Sequence, residues 1–93
     1  MSDVIDIYDA QTGIWSTQSL SSPRAILSLL AVDQRVLFAG GAGSGYVPQA
    51  TVDVYDELNG GWLPPMELSL ARFDMGATVV GNVLYFAGGN TGG

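Results

Sequence analysis

The stretch FAGG occurs twice in this 93-residue chain, at residues 38–41 and again at residues 86–89. The two copies lie 48 residues apart, and DIYD at residues 6–9 recurs as DVYD at residues 53–56 with an offset of 47. Two single residues recur in phase with these stretches, Trp15 as Trp62 and Arg24 as Arg72. A fixed period of this size indicates a repeat architecture, in which one unit cannot bury its apolar face without its neighbours.

The composition indicates a small folded domain that does not bind polyanions. Hydrophobic residues make up 47% of the chain and charged residues 13%, which excludes an intrinsically disordered chain. Three arginines and no lysine oppose nine carboxylates, giving a net charge of −6. Because clustered basic residues supply most of the affinity for nucleic acids and for anionic membranes, neither is an expected partner.

The chain contains neither cysteine nor histidine, which bears on both catalysis and metal binding. Thiolate chemistry, disulfides and the commonest general base are therefore absent, so we expect no enzyme, no metal and no cofactor. The glycine-rich run GGAGSG at residues 40–45 is not followed by the lysine and helix of a phosphate-binding loop. No segment resembles a signal peptide or a membrane span, which slightly favours the cytoplasm and leaves the compartment otherwise undetermined.

Strand signals dominate the chain and repeat with the same period. Apolar and polar residues alternate over 52–56, and the turns at residues 9–13 and 56–60 both begin with Asp and end with Gly. Each repeat predicts four strands, of which the first begins at Arg24 in the first copy and at Arg72 in the second. No window has a helical period. Four strands in about 47 residues predict one blade of a β-propeller.

The double glycine, a tyrosine 14 residues later and a tryptophan seven residues after that resemble the kelch repeat. The resemblance covers nearly the whole chain in two copies and implies a kelch-like propeller fold. The glycines would permit close backbone approach near the propeller interior, and the aromatic residues would pack between successive sheets. The predicted structural motif comprises Gly40, Gly41, Gly88, Gly89, Tyr8, Tyr55, Trp15 and Trp62.

The order of the predicted strands gives one full blade at residues 23–66 between half-blades at residues 1–22 and 67–93. Propellers close a ring of four to eight blades. The loop that spans 14 residues within the chain would span 12 if it were rebuilt between the end of one copy and the start of the next. We therefore expect a head-to-tail homo-oligomer, with a trimer of six blades favoured over a dimer or a tetramer. The alternative is an excised piece of a longer propeller.

The two repeated arginines are the main candidates for a binding role. Arg24 and Arg72 would either brace neighbouring blades through hydrogen bonds or, as in kelch substrate adaptors, form guanidinium sites for an acidic peptide. Asp74 lies two residues after Arg72, and we expect it to pair with one of these arginines, with a place at the channel mouth as the alternative. The carboxylates of Asp6 and Asp53 repeat in phase with the blade, as do those of the two turns, so strand-end and turn roles are expected.

The loop at residues 42–50 is a further candidate contact surface. It combines an exposed aromatic residue, Tyr46, with the polar residues Ser44 and Gln49, although an ordinary loop has the same composition. The sequence thus favours a non-catalytic propeller scaffold that binds another protein or peptide. Two alternatives stay open: a sugar-binding, small-ligand or enzymatic pocket at the ring axis lined by Arg24, Arg72, Asp74 and Tyr46, and an engineered or truncated unit without an evolved ligand.

Overall fold

The computed structural model describes residues 1–92, which fold mainly into β-strands. Eight strands follow one another along the chain: β1 (Val4–Asp9), β2 (Ile14–Ser19), β3 (Ser28–Val32), β4 (Arg35–Ala39), β5 (Thr51–Asp56), β6 (Gly61–Glu67), β7 (Gly76–Val80) and β8 (Val83–Ala87). A 3-10 turn at Ser44–Tyr46 lies between β4 and β5. Within residues 1–92, no helix has the length and apolar character required to cross a membrane.

The strands form three antiparallel sheets in chain order. β1 pairs with β2, β3 to β6 form a four-stranded meander, and β7 pairs with β8. This arrangement confirms the predicted all-β fold, in which one complete blade lies between two half-blades. β6 ends at Glu67, one residue beyond the boundary expected at residue 66. Gly93, the last residue of the half-blade expected at 67–93, lies outside the described residues.

The turns between strands follow the local chemistry of the sequence. Asp33 and Gln34 connect β3 to β4 with φ values of 48° and 60°, as a two-residue hairpin requires. In the longer turn after β1, Asp9 Oδ1 accepts the N–H groups of Gln11 at 2.9 Å and Thr12 at 3.2 Å. The turn after β5 repeats this arrangement, because Asp56 accepts the N–H of Leu58 and the side-chain amide of Asn59. These carboxylates therefore have the predicted turn role.

The first strand of each blade begins four residues later than the sequence predicted. Strands were expected from Arg24 and Arg72, but β3 begins at Ser28 and β7 at Gly76. The cause is a left-handed residue in each copy, Ile26 with φ 57° and Asp74 with φ 59°, which interrupts the extended backbone. The segment before each interruption keeps one isolated bridge, between Ala25 and Ala42 in the first copy and between Phe73 and Asn90 in the second.

The main apolar core lies between the four-stranded blade and the β7–β8 half-blade. Its buried members are Leu37, Ala39, Val52, Val54 and Met75, with Leu84 and Phe86 of β8 packed against them. Each fully buried side chain of the size of Leu or Val contributes about 1.5–3 kcal/mol. On the opposite side, an apolar cleft of about 230 Å³ lies between the β1–β2 half-blade and the central blade. A cleft of about 260 Å³ also lies between the central blade and β8, but no core residue comes from β1 or β2, so the β1–β2 half-blade contributes less to the core than the β7–β8 half-blade.

The glycine doublets follow β4 and β8 and turn the chain sharply. All four glycines have φ between 64° and 102°, a conformation that L-residues with a Cβ rarely adopt. The N–H of Gly40 donates to the carbonyl of Thr51 at 2.9 Å, and that of Gly41 donates to the carbonyl of Arg72 at 3.0 Å. The first doublet thus joins the central blade to the segment that leads into the next one.

Candidate functional site

Arg24 is buried at the centre of a polar network inside the four-stranded blade. It lies in the loop that leads from β2 to β3, and its side chain is 0% exposed. Nη1 donates to the carbonyl oxygens of Gly40 at 2.8 Å and Thr51 at 2.7 Å. Nη2 donates to the carboxylate of Asp53, whose side chain is 5% exposed. The arginine therefore ties the end of β4 to the start of β5.

Asp53 extends the network to the preceding half-blade. Its Oδ2 also accepts the backbone N–H of Ser21 at 3.0 Å and the Ser21 hydroxyl at 2.9 Å. The loop between β2 and β3 is thereby fixed against the central blade at two positions, Ser21 and Arg24. The repeat pattern alone did not indicate this buried role of Asp53, because it groups Asp53 with the other repeated carboxylates. The available signal was the occurrence of one Arg and one strand Asp in every repeat, in the same phase.

The electrostatic environment of Arg24 combines desolvation with one opposing charge. Burial lowers the pKa of the guanidinium below its ordinary value, because removal from water disfavours the charged form. The carboxylate of Asp53 acts in the opposite direction, by its charge and by the hydrogen bond. Nη1 and Nη2 are engaged by the chain itself, and the buried Nε has no acceptor within residues 1–92. Arg24 has no exposed surface to offer to an acidic peptide, and its bonds lie within one blade and not between two.

Arg72 occupies the repeat position of Arg24 but has only part of the same network. Its Nη1 donates to the carbonyl of Gly88 at 3.0 Å, which matches the bond from Arg24 to Gly40. Its Nε donates to the carbonyl of Leu70 at 3.3 Å. The single ion pair within residues 1–92 joins Arg24 to Asp53, so Arg72 has no carboxylate partner among the described residues.

The expectation that Asp74 pairs with an arginine is wrong for the described residues. Asp74 is exposed, and no ion pair joins it to Arg24 or Arg72. Its backbone N–H donates to the carbonyl of Ile26 at 3.2 Å, which links the segment before β7 to the segment before β3. Asp74 has a left-handed backbone with φ 59°, which Asp tolerates better than most residues.

The loop between β4 and β5 presents a separate exposed surface. Tyr46 is 69% exposed at the tip of the loop, with φ of 60°. The loop is closed by the N–H of Gly43, which donates to the carbonyl of Val47 at 2.8 Å. Ser44 and Gln49 line a depression of about 470 Å³ beside the tip, with neither Tyr46 nor the arginines among its lining residues. The structure therefore brings Ser44 and Gln49 together, and the backbone N–H of Arg72 donates to the carbonyl of Gln49 at 3.1 Å. Arg24, Arg72 and Asp74 do not line the depression itself.

The two aromatic pairs of the repeat have different surroundings. Tyr55 and Trp62 are half-buried with ring centroids 5.2 Å apart, and Phe38 packs against the same indole at 5.8 Å. Tyr8 and Trp15 pack at 4.8 Å, but Trp15 is 67% exposed. Among residues 1–92, no strand lies next to β1 in the way that β4 lies next to β5. The indole of Trp15 is therefore left exposed to solvent.

Within the described residues, β1 and β8 each lack one strand neighbour that their counterparts β5 and β4 have in the complete blade. β1 is paired only with β2, and β8 only with β7, so each has one edge without a strand neighbour among residues 1–92. Apolar side chains on both strands are more than half exposed, including Val4 and Tyr8 on β1 and Val83 and Tyr85 on β8. Open edges of this kind are available for pairing with another strand. Within the same residues, no three Asp or Glu side chains come together as a metal site would require.

Comparison with known proteins identifies the repeat. No protein-family model matches the chain. Kelch-like protein 25 of Xenopus tropicalis is 38% identical over 72 residues, which are 77% of this chain and 12% of that protein. Kelch-like protein 25 of Xenopus laevis and of Homo sapiens are each 36% identical over the same shares. The chain thus spans about an eighth of the length of these relatives. It belongs to the kelch-repeat proteins and folds as kelch β-propeller blades.

Proposed function

We propose that this chain is a non-catalytic kelch scaffold that completes its propeller by head-to-tail association with copies of itself and presents its loops to a protein partner. The observation that carries the proposal is the complementarity of the two half-blades. By the repeat, β7 and β8 correspond to the first two strands of the blade, and β1 and β2 to the last two. One half-blade of each kind makes a complete blade.

The exposed apolar surface supports association at these half-blades. Tyr8, Trp15, Val83 and Tyr85 are each more than half exposed, whereas Tyr55 and Trp62 in the complete blade are half-buried. Pairing between copies would cover this surface and close the open edges of β1 and β8. The contact is heterologous, because β1 of one copy meets β8 of another, and such contacts form closed rings when the rotation permits.

The experiment for self-association is the absolute mass in solution, measured by light scattering behind a sizing column over a concentration series. A six-bladed ring predicts three times the 9.7 kDa of one chain. Twice or four times that mass would keep head-to-tail association and change the number of blades. A monomer at every concentration would contradict self-association.

The partner-binding part of the proposal rests on the loop between β4 and β5. An exposed tyrosine beside polar groups is typical of protein interaction surfaces, and Tyr46 is 69% exposed. We expect Tyr46→Ser to abolish capture of a stoichiometric protein partner while leaving the assembled mass unchanged. Leu58→Ser, at an equally exposed apolar residue in another turn, is the matched control. Equal capture by wild type and Tyr46→Ser would contradict a role for this loop.

A second candidate function is the binding of a small polar ligand, such as a sugar. It is favoured by the depression beside Ser44 and Gln49, which also contains Ser22. Calorimetric titration of the assembled protein with neutral monosaccharides tests it, with Gln49→Leu as the variant that should lose binding. Assembly without a protein partner and without sugar binding would instead favour a unit that only assembles.

A further inference from the structure

The incomplete network at Arg72 identifies what the open edge lacks. In the complete blade, Arg24 donates to the carbonyl of Gly40, to the carbonyl of Thr51 and to the carboxylate of Asp53. Arg72 makes the first of these bonds, to Gly88, and has no counterpart for the other two within residues 1–92. The missing acceptors are a strand carboxylate and a carbonyl two residues before it.

The repeat places these acceptors on β1. With the offset of 47 residues, Asp53 corresponds to Asp6 and Thr51 corresponds to Val4. Asp6 is exposed and has no ion-pair partner among the described residues. The open edge of β1 therefore carries Asp6, whose carboxylate has no ion-pair partner among residues 1–92. The open edge of β8 lies beside Arg72, which has no carboxylate partner among the same residues.

We propose, on the basis of the proposed self-association, that Arg72 of one copy forms a buried ion pair with Asp6 of the next copy and that this pair sets the register of the interface. β8 then pairs antiparallel with β1 of that next copy. In the complete blade, Val36 lies opposite Tyr55 and Phe38 lies opposite Asp53. The transferred register places Leu84 opposite Tyr8, and Phe86 opposite Asp6.

The serine of the network is also available on the same side. Ser21 lies three residues before Arg24 and binds Asp53 through its N–H and its hydroxyl. Ser69 lies three residues before Arg72 and is exposed. In the assembly, Ser69 donates to Asp6 of the next copy as Ser21 donates to Asp53. If β8 paired with a strand that has no Asp at this position, Arg72 would be buried without a charge partner. This cost disfavours any other register and any other partner strand.

A charge swap tests the ion pair. Arg72→Asp and Asp6→Arg each place like charges opposite one another, so each single variant should raise the dissociation constant of the assembly by about 100-fold or more. The double variant Asp6→Arg/Arg72→Asp restores opposite charges at every interface and should recover much of the wild-type mass. Arg35→Asp and Glu67→Arg are the matched controls, because both residues are exposed and lie on strands of the complete blade, β4 and β6.

A cysteine pair tests the register separately, because the chain has no cysteine of its own. Leu84→Cys/Tyr8→Cys should form disulfides between copies on mild oxidation, seen as covalent multimers on a denaturing gel. Leu84→Cys/Ile7→Cys is the control, because a shift of one residue places the thiols on opposite faces of the sheet.

The outcomes separate this inference from the proposed function. A monomeric wild type would overturn self-association and the ion pair together. An oligomeric wild type whose mass is unchanged by Arg72→Asp and Asp6→Arg would overturn the ion pair alone. Failure of the double variant to reassemble, together with no cross-linking of Leu84→Cys/Tyr8→Cys, would also overturn it. Reassembly or cross-linking in the stated register supports it.

Discussion

Gly40 and Gly88 occupy the same position in the two copies of the motif but have different surroundings. Their φ values are 64° and 70°, so the backbone turns in the same way at both. A Cβ on Gly40 would lie 2.5 Å from the carbonyl oxygen of Arg72 and 2.9 Å from Cε of Met75, whereas a Cβ on Gly88 would meet nothing within 4 Å. The left-handed turn is therefore a local property of the motif, while the close approach requires the next blade.

The largest expected difference between the complete blade and the β1–β2 half-blade concerns Asp53 and its counterpart Asp6. Asp53→Ala leaves Arg24 buried without a charge partner and should cost about 3–5 kcal/mol in the free energy of unfolding. Asp6→Ala removes an exposed carboxylate and should cost less than about 1 kcal/mol in the isolated chain. Urea unfolding at a protein concentration below association measures both. Equal losses would show that the Arg24 network is not a main source of stability.

The glycine comparison should give the next largest effect. Alanine at either position adopts a left-handed backbone, at a cost of about 1–2 kcal/mol. Gly40→Ala adds a clash with backbone and with Met75, which should cost about 1–3 kcal/mol more. Thermal unfolding of dilute Gly40→Ala and Gly88→Ala should therefore give a clearly lower midpoint for the first. Similar midpoints would mean that the neighbouring segment moves away at little cost.

The two tryptophans extend the comparison to the outer strands. Trp62 packs against Tyr55 and Phe38 and is half-buried, so Trp62→Ala should cost about 2 kcal/mol, below the range for fully buried aromatic residues. Trp15→Ala should cost less than about 1 kcal/mol, because the indole is 67% exposed. Chemical unfolding followed by circular dichroism gives both values. A greater loss for Trp15→Ala would contradict the packing described for the half-blade.

The sequence predicted the strands and their grouping because both depend on local signals that recur. Alternation, the turns at Asp9 and Asp56, and the glycine doublets each specify backbone geometry over a few residues. The late start of β3 was not predictable in this way. Ile26 has a β-branched side chain and a φ of 57°, against its intrinsic preference, and its carbonyl accepts the N–H of Asp74 from the next half-blade. The left-handed conformation of Ile26 is thus accompanied by a hydrogen bond to the next half-blade. No pattern within one repeat indicates that hydrogen bond.

The candidate site was predicted less completely than the fold, and for a related reason. Arg24 was identified, but its burial depends on Asp53, which lies 29 residues away on another strand. Sequence reasoning treated the two residues separately, although their common period linked them. Asp74 was expected to pair with an arginine because it lies near one in sequence. Side-chain pairing across a sheet follows register, which sequence proximity does not give.

The smallest expected effect concerns the two aspartate turns. Asp9→Ala removes two bonds to backbone N–H groups in an exposed turn and should cost about 0.5–1 kcal/mol. Asp56→Ala should cost about 1–2 kcal/mol, because the residue is buried and its partners Leu58 and Asn59 lose their acceptor. Asp→Asn at each position is the matched control, since the amide keeps one acceptor oxygen. If Asp9→Ala and Asp56→Ala lowered the free energy of unfolding equally, burial would not distinguish the two turns. The contrast between the complete blade and the half-blade would then not extend to the turns between their strands.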